Sequence, residues 1–188
     1  MLDDVASTEE ISERLARIEA YQAIQQLPIR YALAVDGRDL DTWVKLFVPD
    51  VEMGRRGRGR QALREYIEPQ LRWFYRSIHQ IVGHRIELSD DRSAKGAVYC
   101  RAEHEVGDRW IVMAICYFDD YQRVDGEWFF ARRAEKHWYA ADLLERPQAV
   151  DFDSWGTSGG PPALPHAFPT WTAFFDDEGA RSGITGRP

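Results

Sequence analysis

The stretch RWIVMAICYFDDYQRVDGEWFFARRAEKHWYA, Arg109–Ala140, decides the fold. Its two halves carry the period-two pattern of strands, and between them lies Asp125-Gly126, a hairpin signal. Working outward, SIHQIVGHRIELS (77–89) and SAKGAVYCRAEHEV (93–106) repeat the same pattern. The polar turns DDRS and VGD separate the strands. Four strands in series predict a curved antiparallel sheet.

N-terminal to the strands the period changes to that of a helix. Ser7–Glu10 (STEE) forms a capping-box signature. Ile11, Leu15, Ile18, Ile24, Leu27 and Tyr31 then recur at helical intervals over about residues 8–35. Pro28 lacks an amide hydrogen and predicts a kink or a split into two helices. VDGRDLDTW reads as a turn, with Asp39 or Asp41 capping a short helix that carries Trp43, Leu46 and Phe47. A third helix follows the arginine-rich RRGRGR, with Leu63, Tyr66, Ile67, Leu71 and Phe74 on one face. Its arginines read as a solvated loop and helix start. Residues 1–146 thus form one α+β domain, with helices on one face of the sheet. A sheet curled around helices leaves a concave cavity, where small ligands bind. Residues 147–188 form a tail rich in Gly, Pro and aromatics, expected to dock on the domain or on a neighbouring subunit.

Composition narrows the function. The 188 residues carry a formal charge of -7, which argues against a nucleic-acid binder. No apolar run is long enough to span a bilayer, and the acidic, polar N-terminus does not read as a signal peptide. Cys100 and Cys116 sit in strand-like runs as buried free thiols, as expected in the cytoplasm. Seven Trp, eight Tyr and nine Phe can fill a core or line an apolar pocket.

The segment AIQQLPIRYALAVDGRDLDTWVKLFVPDVEM (23–53) resembles the opening of SnoaL-like proteins in the nuclear transport factor 2-like superfamily. Tyr31, Asp36, Asp39, Trp43 and Phe47 carry the resemblance, joined by GRGRQALREYI, SIHQIVGHRIEL and RVDGEWFFARR. It covers about residues 8–140. It implies a cone-shaped α+β barrel, three N-terminal helices packed into a curved antiparallel sheet. In the dehydratase and dehydrochlorinase branch it implies a metal-free, cofactor-free Asp–His dyad, here Asp36 and His79. It also implies a second histidine, His104, and an arginine on the last strand, Arg133. The bile-acid dehydratases have a tyrosine where Tyr31 stands and a Gly-His pair resembling Gly83-His84, so His84 competes with His79.

On the residues alone, Asp36 is an ordinary turn acid before Gly37; the resemblance makes it the partner of a histidine. Strict alternation puts His79 and His84 on opposite faces, because they are five residues apart. Without a bulge, only one can face the cavity. His104 shares its strand's apolar face and reads equally as a core residue. Arg133 shares a face with Phe129, Ala131, Glu135 and His137, and an ion pair with Glu135 or a subunit neighbour is its plain alternative. Trp43, Phe47 and Met53 are expected to line the substrate pocket, with Met53 opening a first strand. No HxH or HExxH spacing supports a metal site.

The expected activity is that of a lyase, a dehydratase acting on a small apolar alicyclic, aromatic, steroid or polyketide substrate. A double-bond isomerase with the same dyad is the alternative. A non-catalytic ligand-binding protein, or one like the β-subunit of ring-hydroxylating dioxygenases, is the rival from another class. Trp110, Trp128, Phe130 and Trp138 are expected on the outer face of the sheet, favouring a homo-oligomer, a trimer over a dimer.

Overall fold

A computed structural model describes residues 7–146 together with Phe168 and Thr170. The remainder of the 147–188 tail, including His166, lies outside the described residues. The chain runs α1 (Thr8–Asp36), α2 (Leu40–Lys45), a 3-10 turn (Gly54–Arg56), α3 (Arg60–Leu71), then β1 (Ser77–Leu88), β2 (Ser93–Val106), β3 (Arg109–Val124) and β4 (Glu127–Asp142). The strands form one antiparallel sheet in the order β1-β2-β3-β4. This is the expected α+β cone, with a cavity between sheet and helices.

Ser7 and Glu10 close the capping box reciprocally at the start of α1. Of the two expected outcomes at Pro28, the split into two helices does not occur: α1 is a single helix through it. An interior proline costs about 3 kcal/mol. Ile24 and Leu27, at 0% and 1% exposure, each return about 1.5–3 kcal/mol of burial at the same turn. Tertiary packing therefore outweighs the local penalty. Only the C-terminal half of α1 is core, from Ala20 onward. Ile11, Leu15 and Ile18 stay more than half exposed.

The helix ends at a tight corner that later matters for the site. Arg38 adopts a left-handed backbone, with φ of 58°. Its guanidinium donates to the carbonyls of Val35, Phe74 and Tyr75 and to Ser77 Oγ, tying the end of α1 to the start of β1. Asp39, not Asp41, caps α2 by accepting from the Thr42 amide. Asp41 instead pairs with Arg64. Two more arginines of that region are also staples: Arg58 pairs with Asp50 and Glu52, and Arg60 binds the Phe47 carbonyl.

Bulges decide the strand faces: one settles the facing of the two histidines, and two more overturn the face expected along β4. β1 has a bulge at Val82: Ile81 pairs with Cys100, but Gly83 pairs with Tyr99. The extra residue resets the alternation. His79 opposes Ala102 and His84 opposes Val98, so both histidines lie on the same, inner face. β4 is bulged at Ala131 and again at Trp138. Phe130 therefore joins Arg133, Glu135 and His137 on the inner row, and Phe129 does not. Phe130 and Trp128 are buried in the core, so they are not part of an outer apolar face. Met53 opens no strand. Its neighbour Glu52 makes one isolated bridge to Arg58, and Phe47 makes another to Phe130.

Candidate active site

A cavity of about 810 Å³ opens between the inner face of the sheet and the helices. Its wall includes Tyr31, Trp43, Phe47, Met53, His79, His104 and Arg133, all singled out from sequence. His84 is not part of that wall.

Asp36 and His79 come together where α1 ends against β1. Asp36 Oδ1 is 2.7 Å from His79 Nδ1, and Oδ2 accepts from the His79 backbone amide at 2.8 Å. Ser77 Oγ donates to Oδ1 at 2.7 Å. Burial works to raise the Asp36 pKa, but the hydrogen bonds from the His79 ring, Ser77 and the His79 amide overcome it and hold the carboxyl below its usual value. The carboxylate can only accept, so Nδ1 donates to it and Nε2 is the ring nitrogen that Asp36 does not engage. His79's side chain is only 7% accessible, so its ring is held in one orientation.

His104 stands edge-on to His79, with ring centroids 5.4 Å apart, and against Phe74 at 4.6 Å. Burial, reinforced by the neighbouring His79, pushes its pKa down to about 4. It is a neutral imidazole near pH 7. Its buried Nδ1 has no hydrogen-bond partner among the described residues.

Arg133 is held differently from either expected alternative. Its Nε and Nη2 grip Asp119 in a two-point pair at 2.9 and 2.7 Å, and its charge stacks on Tyr31, Tyr117 and Phe130 at 4.2–4.4 Å. Burial works against its charge, but Asp119 outweighs that and raises its pKa. Nη1 is buried without a partner among the described residues. Tyr31 packs beneath this guanidinium, and burial raises its pKa above the ordinary tyrosine value. Asp119 also accepts from Tyr121, whose hydroxyl lies 2.9 Å from His84 Nε2. His84 therefore braces Arg133 from behind and does not reach Asp36. Gly96 makes room for this chain: a Cβ there would meet Tyr121 at 2.8 Å.

Sequence reasoning missed a second carboxylate–imidazole pair. Glu135 Oε1 and His137 Nε2 are hydrogen-bonded, and both residues line the cavity. The parity of β4 put them on the Arg133 face, but a shared face does not say that the two side chains bond to each other or line the cavity. Arg38 and Ser77, which hold the dyad corner, gave no sequence signal beyond their position. Among the described residues, no group of three or more His, Cys, Asp or Glu is arranged to hold a metal ion, and no helix is long and apolar enough to cross a membrane.

The model of the SnoaL-like domain matches residues 16–134. No significant match is found among curated proteins. Among solved structures, LinA is 25% identical with a TM-score of 0.64, over 73% of this chain and 99% of its own; LinA is a hexachlorocyclohexane dehydrochlorinase. A candidate scytalone dehydratase from Novosphingobium aromaticivorans is 22% identical with a TM-score of 0.61, over 70% of this chain and 93% of its own. A candidate aromatic ring hydroxylase from the same organism is 23% identical with a TM-score of 0.58, over 68% and 95%. These likenesses establish a shared fold.

Proposed function

The chain belongs to the SnoaL-like domain family, and on that premise we propose that it is a cofactor-independent lyase, a dehydratase working through Asp36 and His79. The observation that carries this reading is the 2.7 Å contact between Asp36 and a histidine on the cavity wall. His79 Nε2 takes a proton from a carbon next to an activating group. Asp36 fixes the tautomer and stabilises the imidazolium that forms. The C–O bond to the departing hydroxyl then breaks, the C–H electron pair becomes the new double bond, and the imidazolium returns its proton to the leaving oxygen as water.

The neighbours act around that step. His104 and Tyr31 are held neutral by burial, so they donate hydrogen bonds rather than protons. The open Nη1 of Arg133 supplies a donor for negative charge developing on a carbonyl or leaving oxygen. The cavity volume and its aromatic wall suit an alicyclic or aromatic molecule of a few rings. Isomerisation begins with the same proton abstraction and differs only in returning the proton to carbon. A panel of hydroxylated steroids and polyketides, read by mass spectrometry for loss of water, separates the two. A product 18 mass units lighter than its substrate is expected; a product of unchanged mass points to isomerisation.

We also propose a homo-oligomer, trimeric rather than dimeric. Its support has moved from the sheet to α1, where Ile11, Leu15 and Ile18 expose an apolar stripe at helical spacing. Light scattering that returned a monomer would remove this part.

A further inference from the structure

Glu135 stands apart from the machinery just described. It lies on β4, the opposite edge of the sheet from His79 on β1. Through Tyr117 and Val98 it is level with His84, so it is displaced from His79 both across three strands and along them. Its partner His137 is buried, with a side chain 7% accessible, while the Glu135 side chain is 41% accessible. Glu135 is nevertheless enclosed by protein, because its open surface faces the cavity. Burial works to raise its pKa, but the hydrogen bond and charge of His137, with His79 and His104 further off, overcome it. The group is a carboxylate.

Oε1 is occupied by His137, and no described residue donates a hydrogen bond to Oε2. Arg133, the cation on the same inner row, directs Nε and Nη2 to Asp119, and its Nη1 donates to no described residue, Glu135 included. A carboxylate in an apolar cavity needs a donor for each oxygen. That donor has to come from what fills the cavity.

We propose that Glu135, positioned by His137, is a specificity-determining contact that accepts a hydrogen bond from a hydroxyl or phenol of the ligand, at the end remote from His79. This rests on the reading of the cavity as the substrate site. It narrows the substrate class to a hydroxylated ring compound with a second hydroxyl away from the reacting carbon. It also disfavours carboxylates and phosphates, which Glu135 repels.

The test is binding, not turnover, so it stands apart from the lyase assignment. The dissociation constants of 2-naphthol, 2-methoxynaphthalene and 2-naphthoate are measured by calorimetry with the full chain. The wild type is expected to favour naphthol over its methyl ether by about tenfold or more, the worth of a hydrogen bond to a charged acceptor. Naphthoate should bind weakest. Glu135→Gln should bring the naphthol preference below about threefold and tighten naphthoate, since only a negative charge repels it. Glu135→Leu, which can neither accept nor repel, serves if the glutamine variant fails to fold. His79→Ala should keep the preference. A wild type without preference, a preference intact in the Glu135 variants, or one lost in His79→Ala instead would each overturn the proposal.

Discussion

Asp36 begins as an acid at a helix end and finishes as the acceptor of three hydrogen bonds, two of them from one residue. Holding both the ring and the amide of His79 fixes that side chain at two points. His104, beside it, is the residue whose burial has a measurable cost. Its pKa falls to about 4 from 6.5, with His79, Glu135, Asp36 and Arg38 acting on it. The unfolded chain therefore takes up this proton first as the pH drops. The stabilisation is complete above about pH 6.5 and is lost as pH falls toward 4, to a total of about 3 kcal/mol. Urea denaturation of wild type and His104→Phe at pH 7 and pH 5 reads it directly. The wild type should lose about 2 kcal/mol more than the variant over that interval; parallel losses would contradict the assignment. Much at this scale was legible. The capping box is a local pattern, the α2 cap was narrowed to Asp39 or Asp41, and Asp36 with His79 came from the family resemblance and not from the residues alone. The Glu135–His137 pair was not, because a shared strand face shows neither the hydrogen bond between the two nor their place on the cavity wall.

Among the elements, β1 and β4 hold the lesson about legibility. Strand lengths and turns could be read from the period-two pattern and the Asp125-Gly126 turn. Facing could not, because a bulge is a property of cross-strand pairing and leaves no mark in one strand's own sequence. The single extra residue at Val82 is what lets His79 reach Asp36 while His84 reaches Tyr121. Deleting Val82 should force one of them outward. Losing either contact leaves a buried acceptor unpaired, worth about 1–3 kcal/mol. Val82 itself is 67% exposed, so Val82→Thr should change stability by no more than about 0.5 kcal/mol. Equal melting temperatures for the deletion and the wild type would show that the bulge does not set the faces. Pro28 makes the complementary point. Its local rule was correct, yet the burial of Ile24 and Leu27 kept the helix whole.

At the level of the whole molecule, a four-stranded sheet and three helices enclose a cavity with a carboxylate–imidazole pair at each edge of the sheet. Asp36 and His79 stand at one edge, Glu135 and His137 at the other, and Arg133 lies clamped by Asp119 beside the second pair. The helical and strand periods foretold the enclosure, and the resemblance to dehydratases foretold the first pair. Only the folded chain brings the second into the same space. The most direct measurement on the first pair is kcat/KM of His79→Ala beside the wild type, on whichever panel member the wild type dehydrates, with circular dichroism confirming the fold. A loss of about 10²–10⁴-fold with the spectrum unchanged is expected; turnover at the wild-type rate in a folded His79→Ala protein would show that His79 is not the base.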